Sequence, residues 1–245
     1  MFCCLAATFV NMHYSIRKAL SLCLILIFGK GSSAQTTETA GWFFLSHAQE
    51  LNKKWSYITD VQLRSSAGFA HVQNILFRPG LLYNLTDNQT VGIGYTFFGT
   101  WDRNEMPHTF EPEHRIFEQY IVDIEKGRLA LSNRFRLEQR FIQQSSGNVF
   151  AQRFRHQVQL KVRLATDSAF NKGSFLKLQN EVFLNIQNKQ HLNGNFFDQT
   201  RPYAALGYRF TKKLEAELGW YYRVQLEADG TKKESIVQLL ITTDL

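Results

Sequence analysis

The sequence predicts an all-β protein, a transmembrane antiparallel up-and-down β-barrel of about ten to twelve strands. Three observations carry that expectation. First, Phe154, Val158, Leu160, Val162 and Leu164 alternate with Arg155, Gln157, Gln159, Lys161 and Arg163. Successive strand side chains point to opposite faces, so this strand has one apolar and one cationic face. A soluble sandwich would bury the apolar face, whereas a membrane barrel turns it to lipid and keeps charge in a wet lumen. Second, segments of this kind recur along the whole chain, many of them longer than the strands of soluble sheets. Third, short turns alternate with longer links, as in outer-membrane barrels.

The amino-terminal segment reads as a secretory signal, residues 1–34. Arg17 and Lys18 precede the apolar run Ala19–Phe28, and Ser32, Ser33 and Ala34 supply small residues before Gln35. That run is too short to span a bilayer as a helix. All three cysteines (Cys3, Cys4, Cys23) fall within residues 1–34, so residues 35–245 offer no disulfide, thiolate metal site or cysteine nucleophile. Without the signal's three cations, Arg17, Lys18 and Lys30, the chain keeps 25 Lys and Arg against 21 Asp and Glu. A net charge of +4 falls short of a nucleic-acid-binding signature. No later stretch is apolar enough for a membrane helix, so membrane residence would rest on strands.

Eleven strands are read in order: 41–50, 54–65, 72–84, 90–101, 114–124, 128–142, 150–165, 174–187, 201–210, 213–226 and 234–244. Typical apolar faces are Trp55, Tyr57, Val61 and Leu63, then Val91, Ile93, Tyr95 and Phe97, then Leu214, Ala216, Leu218, Trp220 and Tyr222. The opposite faces hold Asp60, Gln62 and Arg64, then Gly92, Gly94 and Thr96, then Glu215, Glu217, Arg223 and Gln225. Short turns fall near 52–53, 87–88, 125–127 and 211–213. Longer links fall at 65–72, 102–113, 143–149, 187–200 and 226–233. Aromatics near strand ends (Trp42, Trp55, Tyr83, Trp101, Phe141, Phe150, Tyr208, Phe210, Tyr221, Tyr222) suit interfacial girdles. Only four prolines interrupt the chain, as long ladders require.

Eleven raises a difficulty of closure. With the long links on one side, the first and last strands run in the same direction, whereas bacterial barrels close with an even number. Either 41–50 lies outside a ten-stranded barrel or a twelfth strand is hidden. The reading leans to twelve.

Four segments carry a family resemblance: Glu113–Gln119 (EHRIFEQ), Asn133–Ile142 (NRFRLEQRFI), Phe197–Arg201 (FDQTR) and Tyr203–Phe210 (YAALGYRF). They resemble a bacterial family catalogued as domain of unknown function 2490, over essentially all of residues 35–245. The resemblance implies an outer-membrane barrel behind a signal peptide and no assigned activity.

Among chemistry-bearing residues the strongest candidate is a charged ladder facing the lumen: Arg134, Arg136, Glu138, Arg140, Arg153, Arg155, Lys161, Arg163, Lys177 and Glu181. Rings of such charge can select anions. In a narrow barrel they can instead pair and fill the lumen, and this plugged reading is preferred. A second motif comprises Glu113, His114 and Arg115, where Glu111, Glu113 and His114 could bind a metal at a loop mouth but read as a solvated loop edge, together with Asp198 and Arg201, read as a pair bracing a long loop. Membrane-embedded lipid hydrolases set a serine two residues after a strand histidine. Here Gln49, Gln73, Phe110, Ile116, Val158 and Asn193 occupy those places. The sequence therefore leads to a non-enzymatic monomer without cofactor in the cell outer membrane. Its expected partners are lipid and the barrel assembly machinery, with no nucleic acid. A lipid-modifying hydrolase is the alternative.

Overall fold

The computed structural model describes residues 37–103, 108–144, 147–167 and 170–245. The expected signal segment lies outside them. The strands are β1 (Thr37–Glu50), β2 (Trp55–Ser65), β3 (Val72–Thr86), β4 (Gln89–Asp102), β5 (Thr109–Lys126), β6 (Leu129–Gln144), β7 (Gly147–Thr166), β8 (Gly173–Gln187), β9 (Phe197–Thr200), β10 (Tyr203–Thr211), β11 (Leu214–Glu227) and β12 (Gly230–Asp244). Each pairs with its sequence neighbours, except that β9 and β10 do not pair with each other, and β1 pairs with β12, so the sheet closes on itself.

β9 and β10 are one stave of the wall in two pieces. Both pair antiparallel with β8 on one side and β11 on the other. Pro202 has no N–H to donate, so the ladder breaks beside it. Pairing resumes at once through Arg201 N–H to the Glu181 carbonyl (2.9 Å) and Tyr222 N–H to the Pro202 carbonyl (3.0 Å). The barrel therefore has eleven staves, and neither ten nor twelve is right. The closure difficulty is solved by a parallel seam, in register from Thr37↔Lys233 to Ala48↔Asp244. Further bonds from Glu50 N–H to the Leu245 carbonyl and from Leu245 N–H to the Ala48 carbonyl, both 3.0 Å, extend it.

The links at one end are shorter than the sequence suggested. The expected link at 226–233 is a tight turn at Ala228–Asp229, and β5 begins at Thr109 instead of 114. The 187–200 link contains β9. What remains of it, 188–196, is tied inward by Asn193, whose Nδ2 donates to the Leu226 carbonyl (2.9 Å) and whose Oδ1 accepts from Asn185 Nδ2 (3.0 Å).

The wall is inverted relative to a soluble protein. Leu206 and Leu218, 64% and 60% exposed, point outward with Ile93, Leu178 and Trp220. Asp60, Gln62, Arg64, Glu138, Arg155 and Glu181 point inward and are buried. Aromatic pairs ride on the wall near its ends: Trp55 with Tyr83 (centroids 4.9 Å), Trp101 with Phe110 (5.0 Å) and Phe141 with Phe150 (5.2 Å). Trp42 and Tyr221 do not join them. Both are buried in the lumen, 5.5 Å apart.

Inward aromatics need room, and glycine provides it. A Cβ on Gly94 would stand 2.3 Å from Cζ of Phe117, and one on Gly219 would stand 2.3 Å from the Tyr203 hydroxyl. Each ring lies flat over a bare stretch of neighbouring strand, filling the lumen without widening the wall.

Candidate functional site

All ten ladder residues lie on inward positions of β6, β7 and β8. β6 and β7 pair with Glu138 opposite Arg153 and Arg136 opposite Arg155, so the two strands' charged faces meet directly. The outcome is a continuous chain of ion pairs across four strands. Arg134 Nη2 reaches Glu181 (2.9 Å), and Glu181 also accepts from Arg155 (2.7 Å). Arg155 and Arg153 then share Glu138, the latter at 2.7 Å, and Arg153 reaches Asp198 at 3.1 Å. Glu138 is 1% exposed, so it sits wholly among guanidinium groups.

The other ladder members extend this lattice. Arg140 and Arg115 both clasp Glu113, at 2.6 and 2.7 Å. Lys161 pairs with Glu215 (2.7 Å), Lys177 with Glu217, and Arg163 with Glu125 (2.6 Å). Arg136 departs from the pattern. It donates to the Gln119 amide oxygen (2.6 Å) and stacks on Phe117 at 4.2 Å.

Two sequence expectations are corrected here. Glu113 and Arg115 are buried lumen residues on β5 and not a solvated loop edge. His114, between them, points outward to the Tyr95 hydroxyl (2.5 Å). Alternation along the strand therefore prevents Glu113 and His114 from meeting at one metal. Asp198 and Arg201 do not pair either: Asp198 lies on β9 and binds Arg153, while Arg201 donates to Gln199 Oε1 at 2.8 Å.

Sequence reasoning passed over the opposite wall. Asp60 pairs with Arg78 (2.7 Å) and with none of the ladder arginines. Arg64, on β2, places its guanidinium 3.9 Å from the Trp42 ring, and Arg201 and Arg223 lie 5.4 and 6.0 Å from the same indole. Arg64 shares the inward parity of Asp60, and Arg223 that of Glu217. Parity had already put Asp60, Arg64, Glu217 and Arg223 on the polar faces; what was passed over is that Arg64 and Arg223 meet at Trp42. Between the two walls lies a cavity of about 400 Å³ lined by both sets.

Ser66 and His71 form one serine–histidine contact in the 66–71 loop, at 3.4 Å. Ser66 Oγ also receives His71 N–H (3.3 Å), the pattern of a loop brace.

The fold and this interior define a class: a closed, eleven-stave barrel with an apolar outside and an ion-paired core. The family model described as protein of unknown function (DUF2490) matches residues 39–234, and the chain belongs to that family. No curated protein and no solved structure matches it.

Proposed function

We propose that the protein is an integral outer-membrane β-barrel, exported behind residues 1–34, whose lumen is closed by its own charge lattice. In this reading it is a monomeric, non-enzymatic wall element or, at most, a narrow pore with a basic lumen. One observation carries the reading: large apolar side chains crowd the outside while charge and amide groups occupy the inside. In water that arrangement exposes the surface that should be buried, whereas in a bilayer both faces meet a matching medium. Strands of 14 or 15 residues, such as β1, β4, β11 and β12, are long enough to cross the hydrocarbon layer at a tilt.

The plugged state follows from the pairing. Guanidinium–carboxylate forks that tie the inward side chains of adjacent strands together support this reading. Fractionated cells should yield the protein in the detergent-extracted outer membrane, as a band whose gel mobility changes on heating. In planar bilayers it should give no steady conductance. Recovery in the periplasm would defeat the membrane assignment, and a stable anion-selective current would defeat the closed lumen.

A further inference from the structure

Ten cations line the central cavity: Arg64, Arg78, Arg115, Arg134, Arg140, Arg153, Arg155, Lys177, Arg201 and Arg223. The carboxylates that pair with them number seven: Asp60, Glu113, Glu138, Glu181, Asp198, Glu217 and Glu234. The excess is concentrated in one place. Among the described residues no carboxylate pairs with Arg64 or Arg201. Arg64 has the Gln62 amide oxygen at 2.7 Å and Arg201 that of Gln199 at 2.8 Å. Both are buried, and Arg223 adds a third guanidinium around the same indole.

Stacking on Trp42 offsets part of this, as a desolvated cation over a ring face is attracted to it. It cannot cancel the mutual repulsion of buried like charges, which ordinarily demands a counter-charge. The Nε groups of Arg134 and Arg223 add two buried donors without a partner among the described residues, and both side chains line the cavity. Gln238 and Tyr221 complete a polar wall.

We propose that the lumen cavity is a binding site for a small multivalent oxyanion of the phosphate class, held by Arg64, Arg201 and Arg223. The guanidinium fork matches two oxygens of such a group. A cavity of about 400 Å³ takes inorganic phosphate, pyrophosphate or a compact phosphorylated solute, but no polymer. Because the site lies inside the wall, its ligand comes from the aqueous phase and not from the lipid. The site goes beyond the closed-barrel reading and is independent of conductance, since an open lumen with the same arginines would hold the anion equally.

The test is titration calorimetry of inorganic phosphate into the purified, detergent-solubilised barrel. The temperature at which the folded gel band is lost is followed in parallel. Phosphate should bind saturably and raise that temperature, and chloride at matched ionic strength should do neither. Arg64→Gln and Arg201→Gln should each weaken binding about tenfold or more, as loss of a charged hydrogen-bonding group does. Arg64→Lys, which keeps the charge but loses the fork, should weaken it less. Arg128→Gln, outside the cavity, should bind as the parent does. Absence of saturable heat in the parent protein overturns the proposal. So does equal protection by chloride, or undiminished affinity in a folded Arg64→Gln.

Discussion

Glu138 is the residue on which the lattice depends most. Two arginines share its carboxylate, and Arg136 and Arg140 occupy the inward positions on either side of it along β6. Glu138→Gln keeps the shape but leaves Arg153 and Arg155 short of one negative charge. Breaking a buried pair in this way costs on the order of 3–5 kcal/mol, less where lumen water reaches. The folded, heat-modifiable band should therefore vanish at a lower temperature, with conductance still near zero. Gly94→Ala tests steric fit at the same scale. Its Cβ must displace the Phe117 ring and would also stand 2.6 Å from the Pro79 carbonyl oxygen. Overpacking of this sort costs roughly 1–3 kcal/mol, so the same gel transition should fall without any change of charge.

At the scale of the strand, period-two alternation told nearly everything about where side chains point. β6, β7 and β8 were legible because their inward residues are charged and their outward ones apolar. The method failed where apolar residues face inward. Trp42, Tyr221, Phe117, Phe175, Phe183 and Tyr203 are buried in the lumen, and hydrophobicity alone assigns such residues to the outside. Their partners explain them: Phe183 lies 4.5 Å from both Arg155 and Arg201, and Phe175 lies 4.3 Å from Lys161. A cationic lumen accepts aromatic faces where it would reject leucine. Gln157→Arg, mild by parity alone, would set a second guanidinium against Arg134, which already donates to Gln157 at 2.5 Å. Gln159→Glu is the substitution the lumen should tolerate. Outside, Leu218→Arg should cost about 2–4 kcal/mol near a bilayer midplane. Equal damage by the two changes would sink the membrane orientation. Glu118 is an outward carboxylate, exposed halfway along β5 and hydrogen-bonded to Gln139 Nε2 at 2.9 Å. Glu118→Leu should raise the unfolding temperature if lipid covers that strand.

For the whole molecule the unusual fact is the parity of the barrel. Eleven staves cannot alternate direction all the way round, so one pair must run parallel, and the first and last strands make that pair. Counting strands in the sequence exposed the problem, but an even number seemed necessary because an all-antiparallel ring requires one. The register itself is testable by crosslinking, since residues 35–245 contain no cysteine. Leu45 faces Ile241 and Thr39 faces Ser235, each pair on the outer side of adjacent strands. Neighbouring strands lie about 4.8 Å apart, within the span of a disulfide. Double-cysteine variants at either position should oxidise to a species that keeps its two ends joined when boiled without reductant. In a parallel seam both pairs crosslink, because moving six residues along β1 moves six residues in the same sense along β12. In an antiparallel seam that satisfied Leu45–Ile241, Thr39 would be displaced far along the partner strand from Ser235 and could not reach it. Crosslinking at one pair and not the other would thus break the eleven-stave closure.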